Sequence, residues 1–414
     1  MELVYDVVII GGGTSGFAAA VASARHGAKT LVIEENAFLG GMATGGMVSQ
    51  FMGFADDETF PARGVVGEVL DKLHQHDACE DPKVIYLAGR KEANVLAVSY
   101  DSDILKFVLD EIVEEAGADI LFHAKYVDAK IENNRVRSVD VAVNGEIIHI
   151  CAKVFIDASF HGVLAYKCNI PLQEDYDNKD FQPGSLMFKM ADVDSEEFLA
   201  LSQEEKKSIA RNGIDEGQLY VETIMSRPTG KTGIHFHNMS RVPNDPTDPV
   251  GWSKAEIAAR KQVMNISEYM IRNVPGYQNA VISSTGSFLG LRDSRRFTGS
   301  YTLTKDDVME GVQFEDSIAA SSFPIDIHPK DTGFSFVKPS NGKFFIPYRS
   351  IVCKEINNLI LAGRIISADK YAHASLRVMI TCMRIGEAAG IAASMAVRDG
   401  TDTNKINGQL IGLM

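Results

Sequence analysis

The first strong pattern along the chain is an apolar run at residues 6–10. Its length and its β-branched residues are typical of a buried parallel strand. The run ends abruptly in the sequence GGGTSG at 11–16, and the alanine-rich residues 17–25 then predict a tightly packed helix. Gly27 ends this helix, and residues 30–33 predict a second strand. The pattern therefore predicts a strand, a glycine turn, a helix and a parallel strand in succession.

The glycine turn has the spacing of a dinucleotide-binding unit. Gly11 permits a tight turn, Gly13 lets a diphosphate approach the backbone, and Gly16 lets the helix lie close to the strand. The helix N-terminus offers N–H donors and a positive dipole to phosphates, and the carboxylate of Glu34 can accept the hydroxyl protons of an adenosine ribose. Both NAD and FAD are compatible with this unit. The predicted cofactor-binding residues here are Gly11, Gly13, Thr14, Ser15, Gly16, Glu34 and Glu35.

A second glycine pair follows in the sequence FLGGMAT at 38–44. It supplies another close backbone approach, which favours the longer cofactor, FAD. At this point the chain resembles the FAD-dependent oxidoreductases of the glutathione reductase type, in which a GG-x-A/T loop follows the glycine fingerprint. The resemblance implies a Rossmann-like FAD-binding domain. It adds Gly40, Gly41, Met42, Ala43 and Thr44 to the predicted cofactor-binding residues.

The following residues continue this domain. Residues 103–115 have the spacing of an amphipathic helix, and the segments after it predict strands at 119–123, 124–131, 136–143, 147–150 and 152–158. The resemblance implies that the backbone at Val127 lies against the adenine and that Ala158 and Ser159 pass beside the cofactor. Asp157 is predicted to be structural, because a carboxylate at a buried strand end is costly unless it accepts backbone N–H bonds.

Residues 169–345 have a different character, with mixed-polarity strands and separate helical stretches. We predict a substrate or cap domain with a mixed or antiparallel sheet between two parts of an FAD-binding domain with a parallel sheet, an α/β fold overall. The predicted domains are 1–168, with an insertion at about 45–98, then 169–345, and a return to the FAD-binding domain at 346–414.

Within the predicted second domain, His235 and His237 share one face of a strand. This face could look towards the flavin or out into solvent, and we favour solvent; we also place His161 on a surface loop.

Arginines supply the first candidate substrate-binding groups. Arg292 and Arg296 share a face whether their segment is helix or strand, so they could clamp a carboxylate or phosphate. Salt bridges to nearby acids such as Asp293 are the alternative, favoured for Arg295 and left open for the other two.

Two proline-bounded extended segments supply the remaining catalytic candidates. His328 can exchange a proton near neutral pH, and Arg349 can hold an oxyanion. Tyr348 is a third acid/base or anchoring candidate beside them. These segments lead back to the nucleotide domain, and in the architecture that the chain resembles such segments commonly line the active site.

The last predicted elements are a strand ending at Gly363 and an alanine- and glycine-rich helix at 375–397. The N-terminus of this helix could stabilise negative charge on a reduced flavin. With the segments LRDSRR, PIDIH and AGR, this ending resembles the family called FAD-dependent oxidoreductase, distantly similar to fumarate reductase and succinate dehydrogenase flavoproteins. The arginine and histidine arrangement of fumarate reductases is absent, so dicarboxylate chemistry is not implied. Cofactor-binding residues predicted here are Gly363, Arg364, Leu376, Arg377 and Val378, and His373 is a conceivable covalent attachment point beside the default of noncovalent binding.

Composition narrows the function. The chain has 414 residues, 45% of them hydrophobic, and a net charge of −14, which disfavours nucleic acid and anionic membrane partners. Its five cysteines form no C-x-x-C pair, which argues against iron–sulfur, structural zinc and disulfide reductase chemistry, and we predict no metal. The first strand follows the initial methionine closely, and no apolar run looks long enough to span a bilayer. These features predict a cytoplasmic protein.

The sequence thus predicts a flavoenzyme that transfers a hydride between flavin N5 and a small polar organic substrate. The glycine fingerprint does not recur, so we expect no separate NAD(P)H domain. An FAD-binding electron-transfer subunit that passes electrons to a protein acceptor is the alternative. A tRNA-modifying flavoprotein is disfavoured by the negative charge. The substrate and the oligomeric state stay open.

Overall fold

The computed structural model describes residues 2–55, 63–174, 176, 179–229, 233–329 and 333–412. The α-helices in these ranges are α1 (Thr14–Arg25), α2 (Gly64–Gln75), α3 (Ser102–Ala116), α4 (Val163–Lys167), α5 (Ser195–Ala200), α6 (Gln203–Asp215), α7 (Pro249–Asn273), α8 (Lys305–Glu310), α9 (Lys370–Leu376) and α10 (Met379–Asp399). The strands are β1 (Glu2–Ile10), β2 (Thr30–Ile33), β3 (Gln50–Met52), β4 (Lys83–Tyr86), β5 (Asn94–Ser99), β6 (Asp119–Leu121), β7 (Lys125–Glu132), β8 (Arg135–Val143), β9 (Glu146–Asp157), β10 (Phe188–Ala191), β11 (Ser226–Pro228), β12 (His235–His237), β13 (Val281–Thr285), β14 (Ser317–Ser321), β15 (Ile325–Ile327), β16 (Ser335–Val337), β17 (Phe344–Pro347) and β18 (Leu359–Leu361).

The central sheet of the described residues has the order β6-β2-β1-β9-β8-β7, and β18 also pairs with β9. The pairs among β6, β2, β1, β9 and β18 are parallel, which confirms the predicted parallel sheet, while β7 and β8 join it as antiparallel strands. Strand β9 continues through the region where two strands were predicted, at 147–150 and 152–158. It remains one strand because β1 pairs along one edge, while β8 and then β18 pair along the other. The carboxyl ends of β1 and β9 therefore lie side by side.

Helices α1 and α10 pack against each other with close backbone contact. A Cβ atom added to Gly386 would lie 2.0 Å from the main-chain oxygen of Ser15, and one added to Gly390 would lie 2.3 Å from that of Ala19. This confirms the close approach predicted from the glycines of the last helix. The crossing fixes α10 beside the glycine turn that begins α1.

The last helix differs from the prediction in two ways. A single helix was predicted at 375–397, but α9 ends before Arg377 and α10 begins after Val378, whose backbone is extended. By length and composition, helix α10 is also apolar enough to cross a membrane, so the prediction that no run is long enough was wrong. Most of this apolar helix is buried within the protein. The helix is apolar because it is enclosed by the fold.

A second hydrophobic core lies in the region between the two parts of the nucleotide-binding fold. It contains Phe188, Tyr269 and Tyr277, which pack between α7 and an antiparallel sheet of order β11-β12-β10-β13. This confirms the predicted antiparallel sheet of the cap. Eight buried residues of the described part of 169–345 pack instead in the first core: Ile170, Phe297, Leu303, Val308, Ile318, Ala319, Ile325 and Phe344.

The two histidines of β12 belong to this second core. Both are 0% exposed, so the prediction that they face solvent was wrong. The hydroxyl of Ser226 lies 2.8 Å from His235 Nδ1 and 2.5 Å from the Tyr277 hydroxyl, which lies 2.9 Å from His237 Nε2. The alternation of side chains along a strand correctly predicted that the two histidines share a face. That face is buried, and the hydrogen-bond network satisfies the polar atoms of both rings there.

We expect acid to destabilise the cap through these histidines. Burial lowers the pKa of His235 to about 4 and that of His237 to about 3, from an ordinary value of 6.5. Between pH 6.5 and these lowered pKa values, the histidines of the unfolded chain bind protons that the folded chain excludes. Their contribution is therefore complete above pH 6.5 and falls on acidification by up to ~1.4 kcal/mol per pH unit per histidine.

Urea unfolding between pH 7 and pH 5 measures this loss. The double variant His235→Gln, His237→Gln should show a shallower pH dependence of the unfolding free energy than the wild-type chain. An identical dependence in the two proteins would contradict the assignment of these protons to the cap network.

Candidate active site

The glycine turn between β1 and α1 is closed on two sides and open on one. Gly11 has a φ of +93°, and a Cβ atom there would lie 2.9 Å from the main-chain oxygen of Ala158. A Cβ atom on Gly16 would lie 1.8 Å from the main-chain oxygen of Gly11. These two contacts agree with the predicted tight turn and close helix packing. By contrast, a Cβ atom on Gly13 would meet nothing within 4 Å in the described structure, so space is present where a diphosphate was predicted.

Ser15 provides an independent test of whether a phosphate group fits here. Its hydroxyl oxygen is buried and has no hydrogen-bond partner among the described residues. A Cβ atom added to Gly363, at the end of β18, would lie 3.4 Å from this oxygen. A buried donor without a partner is costly, and an anionic oxygen at the N-terminus of α1 would satisfy it. The two predicted parts of the cofactor site therefore meet at Ser15.

The acid at the end of β2 is also tied to the glycine turn. One carboxylate oxygen of Glu34 accepts the N–H of Gly12 at 2.7 Å, and the other accepts the N–H of Asn36 at 2.9 Å. The side chain is 7% exposed. Each carboxylate oxygen has a further lone pair, so these hydrogen bonds are compatible with Glu34 also accepting a ribose hydroxyl proton. The ribose-binding role of Glu34 stays a prediction. Glu35 is exposed and lies 3.8 Å from Lys125 Nζ.

The second glycine pair packs against the first. The N–H of Gly40 donates to the main-chain oxygen of Gly12 at 2.8 Å, and a Cβ atom on Gly41 would lie 3.3 Å from Gly13 Cα. The side chains that follow hold this loop in place. Thr44 donates its hydroxyl proton to the main-chain oxygen of Leu39 and is 1% exposed, and Ala43 is fully buried. Cofactor contacts of Met42, Ala43 and Thr44 stay predictions.

The remaining first-domain candidates lie along β7 and after β9. The register of β7 against β8 passes from Tyr126 to Asp128 without pairing Val127, which leaves Val127 at an irregularity of an edge strand. Asp157 accepts the N–H groups of Leu164 and Ala165 at 2.9 Å, which confirms its predicted structural role. Ser159 donates its hydroxyl proton to Asp157 at 2.7 Å, and its Cα lies beside Gly11.

A cluster of charged side chains lies where the cap meets the N-terminal end of α10. Arg377, between α9 and α10, donates from Nη2 to Asp326 Oδ2 at 3.1 Å, and the same carboxylate oxygen lies 3.1 Å from His328 Nε2. The N–H of His328 donates to Gln182 Oε1 at 2.9 Å. Arg292 donates to the main-chain oxygen of Pro183 at 2.5 Å. We call Gln182, Arg292, Asp326, His328 and Arg377 the arginine cluster.

The charges of the arginine cluster shift one another's pKa values. Burial, reinforced by the charges of Arg377 and Arg241, lowers the pKa of Arg292 to about 9. Burial and Arg292 lower the pKa of His328 to about 4. Burial opposes ionisation of Asp326, but His328 and the neighbouring guanidinium groups outweigh it and lower its pKa to about 2. At neutral pH the cluster therefore holds a neutral imidazole, an ionised carboxylate and excess positive charge.

The segment that carries Arg292 and Arg296 is neither helix nor strand, so the regular structure on which their predicted shared face depended is absent. Arg296 donates to the main-chain oxygen of Ala368 at 2.9 Å, and its Nε lies 3.9 Å from Asp293 Oδ1. His373 Nδ1 lies 3.8 Å from the same Asp293 oxygen, and this histidine is 2% exposed. For Arg296 the structure therefore favours the salt-bridge alternative, and a two-arginine clamp stays a prediction.

The other arginines of the region contact neutral groups. The guanidinium of Arg295 lies 4.1 Å above the Tyr166 ring, so the salt bridges favoured for it from sequence were wrong. Its neighbour His161 lies on a turn, as predicted, but it is half-buried there, with Nδ1 2.9 Å from the Ser294 hydroxyl. Arg364 donates to the main-chain oxygen of Leu291 at 2.8 Å.

Two catalytic candidates point elsewhere. The Tyr348 hydroxyl donates to the main-chain oxygen of Thr403 at 2.7 Å within the first core. Arg349 donates from Nε to Asp316 at 3.0 Å, and its side chain is 50% exposed. Both side chains therefore make their contacts away from the arginine cluster. Neighbouring positions in an extended segment do not decide which of them faces a pocket.

Sequence reasoning missed Gln182, Asp326 and Arg241. Arg241 Nη2 lies 3.4 Å from His328 Nδ1 and so completes the surroundings of that imidazole. Asp326 was visible in the PIDIH segment, because residues two apart in a strand share a face. Gln182 and Arg241 had no such local signal, because they reach the cluster only through the tertiary fold.

Comparisons with known proteins agree with this architecture. The family model for FAD dependent oxidoreductases matches residues 6–412. A digeranylgeranylglycerophospholipid reductase of Thermoplasma acidophilum is 28% identical over 37% of this chain, and a thioredoxin reductase of Mycolicibacterium smegmatis is 29% identical over 29% of it. The matched part spans only 39% and 35% of those two relatives.

Solved structures extend the likeness of the fold to the whole chain. A geranylgeranyl bacteriochlorophyll reductase-like protein of Thermoplasma acidophilum covers 99% of this chain and is itself covered to 83%, with a TM-score of 0.54 and 16% identity. The p-nitrophenol 4-monooxygenase PnpA of Pseudomonas putida gives a TM-score of 0.51 at 12% identity, with 99% of this chain and 84% of PnpA covered. The family match and the glycine-turn geometry together identify FAD as the cofactor. The chain belongs to the FAD dependent oxidoreductase family.

Proposed function

We propose that this enzyme transfers a hydride between FAD and a small polar organic substrate bound at the arginine cluster. The observation that carries the proposal is the His328–Asp326 pair, which lies with Arg377 directly before the N-terminus of α10. Bound FAD supplies the redox chemistry by taking up or releasing a hydride. The chain supplies orientation, charge and an exchangeable proton.

The contacts of His328, Asp326 and Arg377 support a proposed task for each of these three side chains. Because Arg241 donates toward Nδ1 of His328, the imidazole proton lies on Nε2 and is donated to Asp326. Arg377 donates to the same carboxylate oxygen. The Asp326–His328 pair is thereby oriented to take a proton when substrate is oxidised and to return one in the opposite direction.

The polarity of this cluster distinguishes the proposal from the activities for which relatives are named. The digeranylgeranylglycerophospholipid reductases act, by name, on a lipid. Buried charges at the arginine cluster suit a polar group far better than an isoprenoid chain, because an unpaired charge in an apolar contact is costly. We therefore do not extend the lipid substrate to this chain.

The acidic limb of the pH profile of kcat/KM should lie at a lower pH than an ordinary histidine would give. Because burial and Arg292 lower the pKa of His328 to about 4, the pair can accept a proton well below the ordinary histidine pKa of 6.5. We expect kcat/KM for substrate oxidation to stay nearly constant from pH 7 to pH 5. A decline centred near 6.5 would contradict this assignment.

Anaerobic bleaching tests the proposed function itself. The purified holoenzyme is mixed without oxygen with a panel of hydroxy acids, alcohols, amines and sugars, and the flavin absorption is followed. Loss of the oxidised spectrum with one class of compound supports hydride transfer. Retention of the spectrum with every member, together with reduction by a protein electron donor, would instead support an electron-transfer subunit.

A further inference from the structure

The arginine cluster contains polar atoms that the fold leaves unsatisfied. Gln182 Nε2, Arg377 Nε and Asp326 Oδ1 are buried, and none has a hydrogen-bond partner within the described chain. Gln182 is 4% exposed and Asp326 is 7% exposed, so water does not easily replace the missing partners. Leaving such groups unpaired and away from water destabilises the folded protein. Three unsatisfied atoms in one cluster therefore indicate a ligand.

The types of these atoms describe that ligand. The nitrogens of Gln182 and Arg377 are donors, so they require acceptor oxygens. Asp326 Oδ1 is an acceptor because its carboxylate is ionised at neutral pH, so it requires a donor such as a hydroxyl group. One small ligand must then present acceptors and a donor within a short distance.

The charge of the cluster adds a further requirement. Arg292 donates to two neutral oxygens, the main-chain oxygen of Pro183 at 2.5 Å and Ser185 Oγ at 3.0 Å. The carboxylate of Asp326 is already shared by Arg377 and His328. The positive charge of Arg292 therefore lacks a direct anionic contact in the residues that the structure describes, and a ligand carboxylate would balance it.

We propose that the substrate is a 2-hydroxy acid, whose carboxylate binds Arg377, Arg292 and Gln182 and whose hydroxyl group donates to Asp326. This inference rests on the proposed function and names its substrate class. Two-point binding of adjacent carboxylate and hydroxyl groups fixes the carbinol carbon between them, as productive geometry requires.

The reaction balances with the groups at hand. The carbinol C–H bond breaks and its hydrogen leaves as a hydride, so the substrate loses two electrons and FAD gains them. The hydroxyl proton passes to the Asp326–His328 pair, and the C–O bond becomes the carbonyl of a 2-oxo acid. No other reactant is needed for this half-reaction.

An unreactive ligand tests binding separately from chemistry. 2-Hydroxyisobutyrate carries both recognition groups but has no hydrogen on its carbinol carbon, so it can bind without reducing the flavin. We expect it to perturb the absorption spectrum of the holoenzyme saturably, whereas 2-methyl-1,2-propanediol, which lacks the carboxylate, should not. Equal binding of the two compounds to the wild-type protein would overturn the proposal.

Substitutions test which side chains of the arginine cluster contribute to the binding of 2-hydroxyisobutyrate. Arg292→Met should weaken 2-hydroxyisobutyrate binding about 10- to 100-fold, and Gln182→Leu about 10-fold, as expected for charged and neutral hydrogen-bonding groups. Arg272→Met is the matched control, because Arg272 lies on α7 and donates to Gln218 at the surface. Unchanged affinity in the first two variants overturns the proposal, and if Arg292→Met fails to fold, Gln182→Leu and the wild-type comparison decide.

The results also separate this inference from the proposed function. Bleaching by lactate and glycolate but not by neutral alcohols supports both. Bleaching only by neutral alcohols or amines overturns the 2-hydroxy acid and leaves hydride transfer standing. Arginine-dependent binding of 2-hydroxyisobutyrate without bleaching by any compound supports the acid-binding site and contradicts the proposed function.

Discussion

Replacing Gly13 by alanine should weaken FAD binding without destabilising the apoprotein. The added Cβ would meet nothing within 4 Å in the described structure, and the φ of Gly13 is −60°, which alanine adopts freely. The open space lies beside Ser15, whose buried hydroxyl lacks a partner among the described residues. If the diphosphate occupies this space, the methyl group forces a close contact worth ~1–3 kcal/mol, or about 10- to 100-fold in affinity.

The comparison of ligand-free and ligand-bound protein makes this prediction specific. FAD titration of the apoprotein, followed by quenching of flavin fluorescence, measures the affinity of wild type and variant. Urea unfolding of both apoproteins supplies the control and should give equal stability. An unchanged affinity would show that the space beside Gly13 is not where the diphosphate binds.

The Asp326→Asn variant should have the largest effect on turnover. Asparagine keeps the shape of the side chain but cannot take a proton, and it removes the charge that Arg377 and His328 contact. A positioned proton acceptor typically contributes ~10²–10⁴-fold to rate, so flavin reduction by a substrate from the bleaching panel should slow by about that factor.

A matched substitution separates this effect from a general loss of charge. Asp316 pairs with Arg349 at the surface, so Asp316→Asn should reduce flavin at the wild-type rate. Asp326→Asn should still bind FAD, because its contacts lie in the arginine cluster and not at the glycine turn. Flavin reduction at the wild-type rate in Asp326→Asn would remove this carboxylate from the mechanism.

Local sequence signals were enough for the nucleotide-binding fold. The glycine spacing from Gly11 to Gly16 and the apolar strands on either side depend on backbone sterics within a few residues. The glycines of the last helix likewise predicted a close approach to another backbone, and the structure shows that this backbone is α1, where Gly386 meets Ser15. Such local constraints determine the turn and the close helix contact, and the structure has both.

The candidate site depended on long-range assembly instead. Gln182, Arg292, Asp326 and Arg377 are far apart in sequence, and no periodicity relates them. A shared face for Arg292 and Arg296 presupposed regular structure that their segment lacks. The face that carries His235 and His237 was predicted correctly, but Ser226 and Tyr277 determine that it is buried, and both reach β12 from other elements.

A crystal structure of the protein with FAD tests the account most directly. The account predicts electron density for the diphosphate beside Gly13 within hydrogen-bonding distance of Ser15 Oγ, and the flavin ring beside the N-terminal end of α10 and Arg377. FAD bound at another surface, or a ring separated from the arginine cluster by intervening protein, would contradict it.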